Sequence, residues 1–176
     1  MSIPITKPSI KRTDMDSVLT CMVTDNIGPG TLSERLVKDV CSYLGIDGGI
    51  ALREYHRAIK IALRAAGLEK GKRVILSPLC PAVYLEVLRE MEVEPLFVDV
   101  EPDTGCLAAS QLDLLDGQEI GAVIAYSNLG FAPDLDALAE FGVPIIEDIS
   151  QGLGGNTGRG RLGSYGAFVI LSLEPE

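Results

Sequence analysis

The sequence has no tryptophan, a single histidine at His56, and only five tyrosines and four phenylalanines among 176 residues. Its core must therefore come mainly from Leu, Ile, Val and Ala. Four cysteines, at positions 21, 41, 80 and 106, stand too far apart for a compact metal motif, so no zinc site is expected. A nucleophilic triad has little to build on, because no GxSxG is present and His56 sits among Arg53, Arg57 and Lys60 on a helical edge. Basic residues are also scarce, 15 against 25 acidic ones, for a net charge of −10. That balance argues against nucleic acid or an anionic membrane as partner. No apolar run approaches the ~18 residues that span a bilayer. The opening MSIPITKPSIKRTD lacks the apolar core of a secretory signal. The expectation is a cytoplasmic protein with reduced thiols.

What is present describes a folded globule. Hydrophobic residues make up 47% and charged residues 23%, with 19 glycines and 10 prolines, which excludes disorder, collagen and a disulfide scaffold. Residues 1–30 show little periodicity and read as an extended arm with a short helix around Asp14–Met22. From 31 the pattern alternates. Helical periodicity covers 32–44, 54–66, 82–91, 109–115 and 134–141. Apolar strand runs are KRVILS at 72–77, PLFVDV at 95–100, IGAVIAY at 120–126, VPII at 143–146 and GAFVILSL at 166–173. IAL at 50–52 is a candidate short strand. Strands without polar alternation, separated by helices, predict a three-layer α/β/α domain with a mostly parallel sheet.

Open α/β sheets bind ligands beyond the carboxyl ends of their strands. This directs attention to residues 77–81, Asp99, 126–130, 147–151 and Ser172. The run Glu147-Asp148-Ile149-Ser150-Gln151 follows a buried strand directly. Its carboxylates can pair with a protonated ring nitrogen or an amine, or can sit solvated with Asp148 capping the next turn. The loop from 152 to 166 has glycines at 152, 154, 155, 158, 160, 163 and 166, with Arg159 and Arg161 embedded. It reads either as an anion cradle of backbone N–H groups or as a hairpin between strands. It matches neither GxxxxGK[ST] nor GxGxxG in context. Cys80 reads as a small buried residue.

Together these segments resemble the DegT/DnrJ/StrS family of pyridoxal-phosphate-dependent sugar aminotransferases. GVPIIEDISQGLGG at 142–155 is similar to that family's VIEDAAQ-like run, and GRGRLGSYG at 158–166 to its glycine loop and GSLGD-like turn. PLFVDVEPDT at 95–104 looks like its FVDVDPDT element. Asp134-Leu135-Asp136 resembles its helix start, and IPITKPSI with IGPG at 27–30 its amino-terminal arm. The resemblance implies the large domain of a fold-type I transferase over 31–176. It also implies cofactor-binding roles for three residues. Asp148 would pair with the pyridine nitrogen, Gln151 would lie near the ring and its phenolic oxygen, and Ser172 would help hold the phosphate.

Several positions depart from that pattern. Glu54-Tyr55-His56 stands where the family has an SGT-type turn holding the phosphate at a helix N-terminus, and a carboxylate there repels phosphate. Leu79-Cys80-Pro81 replaces the ring-stacking aromatic, and Gly166-Ala167 replaces the GSLGD aspartate. The family's Schiff-base lysine follows the serine matched by Ser172, and Lys60, Lys70 and Lys72 lie in other elements. The expectation is a degenerate, half-length family member with no catalytic residue, no bound cofactor and no transamination by itself. The alternatives are a fragment or split half of a nucleotide-sugar aminotransferase, and an α/β binding or interaction module without pyridoxal phosphate. A homodimer is expected, or a complementing chain.

Overall fold

The computed structural model describes residues 9–25, 27–115, 119–158 and 160–173. In chain order the elements are α1 (Arg12–Val23), α2 (Thr31–Leu44), α3 (Tyr55–Ala65), β1 (Arg73–Leu76), α4 (Val83–Met91) and β2 (Glu94–Phe97). A 3-10 helix (Ala109–Leu115) leads to β3 (Ile120–Tyr126), α5 (Leu135–Glu140), β4 (Ile145–Asp148), β5 (Asn156–Thr157), β6 (Gly160–Arg161) and β7 (Phe168–Ile170). The chain divides into two units. One runs to Tyr43 and includes 47–51, and the other comprises 44–46 and the chain from Leu52 onward.

In the first unit, the Asp14 carboxylate accepts from the Lys11 N–H at 2.8 Å and closes the start of α1. This helix buries none of its residues. Met15, Val18, Leu19 and Met22 fall on one helical stripe, at i, i+3, i+4 and i+7, and all are exposed. Leu32 and Leu36, one turn apart on α2, are exposed as well. Residues 1–8 of the expected extended arm lie outside the described residues.

The second unit is built on a five-stranded parallel sheet in the order β2-β1-β3-β4-β7. Side chains alternate across it with period two. Val74, Leu76, Ala122, Ile124, Ile146 and Ile170 face α3 and α4, packing against Ile59, Leu63, Val87 and Leu88. The opposite face buries Ile75, Val123 and Ala125, and Leu107, Leu112 and Leu138 are buried with them. The three-layer architecture and parallel sheet expected from the apolar runs are present. Helix α3 ends where Gly67 takes a φ of +83°, which lets the Leu68 N–H return to the Leu63 carbonyl at 3.0 Å.

Four local expectations differ from what forms. Residues 50–52 are coil. Strand β2 occupies the sheet edge with three of its four residues exposed, and its Pro95 is tolerated there because an edge strand leaves one side unpaired. Segment 109–115 coils as a 3-10 helix. The last strand shortens to Phe168–Ile170, and just before it Gly166 passes so close to β4 that a Cβ there would lie 2.8 Å from the Ile145 carbonyl oxygen. No helix among the described residues is long and apolar enough to cross a membrane. The strand order reverses between β1 and β3, the switch point at which sheets of this kind commonly bind ligands.

Candidate functional site

Strand β4 ends on two adjacent carboxylates that alternation sends to opposite faces of the sheet. Both are buried, Glu147 at 1% exposure and Asp148 at 0%. An ionised carboxylate so far from water must be matched by donors within the fold. The solvated reading of this run is thereby excluded.

Glu147 takes its donors from the glycine loop. Its Oε2 accepts from the Gly163 N–H at 2.8 Å, and its Oε1 from the N–H groups of Tyr165 and Gly166 at 2.7 and 2.6 Å. The loop is thus an anion cradle, and the anion is the chain's own side chain. It contains a hairpin too, the antiparallel pair β5 and β6. Both readings of the loop therefore describe part of it. Arg159 lies outside the described residues.

Asp148 faces α3 and α4. Its Oδ1 accepts from the Ser150 N–H at 3.0 Å and the Ser150 hydroxyl at 2.6 Å, so the expected capping of the next turn is present. Its Oδ2 accepts from two phenols, Tyr84 at 2.5 Å and Tyr55 in a short hydrogen bond. Tyr55 opens α3 and Tyr84 lies one residue into α4. Their rings meet edge to face with centroids 6.1 Å apart. A carboxylate offers about four lone-pair sites, and each of these four donors takes one. Burial and the Asp148 charge push the Tyr84 phenol well above its usual pKa, so it stays a neutral donor. Burial likewise raises the Cys80 thiol to about 11, with the Asp148 charge adding to it, while a hydrogen bond from its backbone partly offsets the rise.

The structure brings two of the three sequence-designated residues together. The Ser172 N–H donates to the Ser150 hydroxyl oxygen at 2.8 Å, and that hydroxyl donates on to Asp148. Gln151 stands apart from this relay. Its Oε1 accepts from the Leu129 N–H at 3.0 Å and pins the loop after β3, where Leu129 holds a φ of +49°. Tyr55 and Tyr84 were not designated from sequence, although a signal existed. A buried phenol needs an acceptor and a buried strand-end carboxylate needs donors. His56 lies 3.2 Å from the exposed Glu90, a surface position away from Asp148. Glu54 caps α3 without bonding its N–H groups, and its carboxylate accepts from Arg57 Nε at 3.1 Å instead. A groove of about 530 Å³ lies elsewhere, against Glu101, Leu107, Asp134 and Phe141, and includes none of these residues.

A parallel sheet of this order, flanked by helices, is the arrangement of the large domain of pyridoxal-phosphate-dependent transferases of fold-type I. The profile of the DegT/DnrJ/EryC1/StrS aminotransferase family matches residues 8–176, and the chain belongs to that family. The solved sugar aminotransferase Spr1654 from Streptococcus pneumoniae, described as putative, matches in its PLP form with a TM-score of 0.89 and 19% identity. The match covers 99% of this chain and 49% of that one. A DegT DnrJ EryC1 StrS aminotransferase from Brucella abortus gives 0.82 and 25% identity over 92% and 46%. The ntda protein from Bacillus subtilis gives 0.83 and 22% over 94% and 39%. The chain therefore spans less than half the length of these proteins.

One expectation is corrected at this point. Spr1654 has been solved in PLP and PMP forms, and the Bacillus protein with bound cofactor PMP, so membership of the family implies pyridoxal phosphate and not the absence of a cofactor. The local arrangement nonetheless does not fit that group as it stands. Were a pyridinium N–H to lie against Asp148, as the resemblance implies, it would meet lone pairs already taken by Tyr55, Tyr84 and Ser150. A phosphate at the start of α3 would meet the Glu54 carboxylate.

Two predictions follow from the paired carboxylates. Glu147→Ala strands three backbone N–H groups and should destabilise the chain by about 3 kcal/mol or more in urea unfolding. A loss below about 1 kcal/mol would show that the loop does not depend on this side chain. Tyr84 and Cys80 both have folded-state pKa values above their unfolded ones. Their contribution is complete below pH ~9 and is lost as pH rises, because the unfolded chain releases protons that the folded one retains. The urea midpoint should therefore fall between pH ~9 and ~11, and the Tyr84 phenol should ionise only together with unfolding. Ionisation of all tyrosines near pH ~10 in the still-folded chain contradicts the buried arrangement.

Proposed function

We propose that this chain is the cofactor-domain half of an aminotransferase-family protein in a degenerate form that does not transaminate by itself. The observation supporting this reading is Asp148, the residue the family would set against the pyridine nitrogen, held by Tyr55, Tyr84 and Ser150. Gln151 and Ser172 are the other two residues the family would place around the cofactor, and Ser172 is tied to Asp148 through Ser150. The lysines of the second unit favour the same reading. Lys60 pairs with Glu90, Lys70 with Glu92 and Lys72 with Glu119. Lys70 and Lys72 precede β1, at the opposite end of the sheet from Asp148, and Lys60 lies within α3. None is placed to act as the amine that transamination needs at that end.

A second reading is favoured by coverage. Because the chain spans less than half of its solved relatives, it can be one part of a protein whose lysine and small domain come from outside residues 1–176. Pyridoxal phosphate and an amino-acid donor, added to the chain alone, should then give no keto acid under either reading. Keto acid formed in proportion to the chain, with a saturable lysine-bound absorbance band, overturns the degenerate reading. Activity that appears only on adding a chain with the complementary half favours the split one.

We further propose that the chain is a cytoplasmic homodimer. The apolar stripe Met15, Val18, Leu19 and Met22 on α1 and the exposed Leu32 and Leu36 on α2 supply surface that water disfavours. Sedimentation should show a dimer at micromolar concentration. A monomer at every concentration tested, or a dimer unaffected by Leu19→Asp, counts against this surface as the contact.

A further inference from the structure

Two phenols on one carboxylate oxygen is a stronger arrangement than the fold needs. Ser150 already satisfies Oδ1, and one phenol would suffice to keep Oδ2 from being an unpaired buried acceptor. The two phenols are not equivalent in position. Tyr84 is 0% exposed, enclosed by the α3 and α4 side of the core. Tyr55 is 8% exposed and is the first residue of α3, where the helix meets the carboxyl ends of the strands. Tyr84 is the floor of the cluster and Tyr55 its outer wall.

We propose that Tyr55 is a built-in competitor for Asp148: its ring and hydroxyl take the volume and the lone pair that a cationic nitrogen heterocycle would use. This rests on the proposed reading of Asp148 as the ring-facing residue and identifies what closes that position. A phenol O–H donates to a carboxylate as a pyridinium N–H does, through an aromatic ring of similar size, and each bond is charge-assisted. The phenol is neutral, so it leaves the Asp148 charge unneutralised in a dry site. A protonated heterocycle would neutralise it. Loss of Tyr55 therefore exchanges a tethered neutral donor for a free position that favours a cation of the same shape. The preference is for a planar, protonated pyridine-type ring over a neutral arene. Cys80 adds no competing charge, since its thiol is protonated at neutral pH.

The test uses pyridoxamine 5′-phosphate, which has no aldehyde and so cannot label surface lysines. Its affinity is read by calorimetry for the full chain, Tyr55→Ala, Tyr55→Phe and Tyr55→Ala combined with Asp148→Asn. Tyr55→Ala should bind at least about tenfold tighter than the wild type, the scale of one charge-assisted hydrogen bond. The double variant should return to the wild-type level. Tyr55→Phe frees the lone pair but keeps the ring in place, and should gain little. Equal binding by wild type and Tyr55→Ala overturns the proposal, as does a gain that survives Asp148→Asn, which would mean simple cavity filling. Should Tyr55→Ala fail to fold, labelled-tyrosine spectra of the wild-type chain decide. Adding the probe should shift the Tyr55 ring signals towards those of an exposed tyrosine and leave Tyr84 in place, and saturation without movement of Tyr55 overturns the idea. Failure of the underlying reading is separable, because it would show as keto-acid formation by the unmodified chain.

Discussion

Everything at the carboxyl end of the sheet depends on finding donors for two adjacent carboxylates that lie beyond the reach of water. Alternation along β4 splits the problem between the two faces. Glu147 draws three backbone N–H groups from the loop between β4 and β7. Asp148 draws two phenols from α3 and α4 and the N–H and hydroxyl of Ser150. A pair of residues therefore ties together four segments that are distant in sequence. Among the described residues, no buried side-chain nitrogen or oxygen is left without a partner.

The same arrangement is built on the scaffold of the family. The pairing of β4 with β7 in the parallel order β2-β1-β3-β4-β7 places Asp148, Ser150 and Ser172 next to one another. That geometry depends on the strand pairing and on the Ser150 hydroxyl. What faces Asp148 is decided by single residues on the helices, and here those residues are tyrosines. Glu54 contributes in a different way, by putting a negative charge at the helix start most suited to an anion.

Much of the fold was legible because buried parallel strands must be apolar throughout. IGAVIAY and the β1 and β4 runs could not be anything else in a chain with this helical spacing between them. Edges were less legible. β2 carries an apolar-looking run but lies exposed, since nothing in PLFVDV distinguishes a sheet edge from its centre. The glycine loop read as an anion cradle without revealing which anion, because backbone N–H groups carry no sequence signature. Asp148 and Ser172 were singled out by their positions after strands. Gln151 was singled out likewise, and its Oε1 also accepts from the Leu129 N–H.

By itself, the sequence determined the layers, the parallel direction of the strands and the family, since these rest on apolar periodicity and on local runs such as IIEDISQ. It also placed both carboxylates at a strand end. Only the tertiary structure decided their partners. Tyr55 and Tyr84 are 93 and 64 positions from Asp148, and the sequence placed them only within helical segments. A hydroxyl finds its acceptor in three dimensions, through the angle at which α3 and α4 cross the sheet, and that angle is set by the packing of all their apolar neighbours at once.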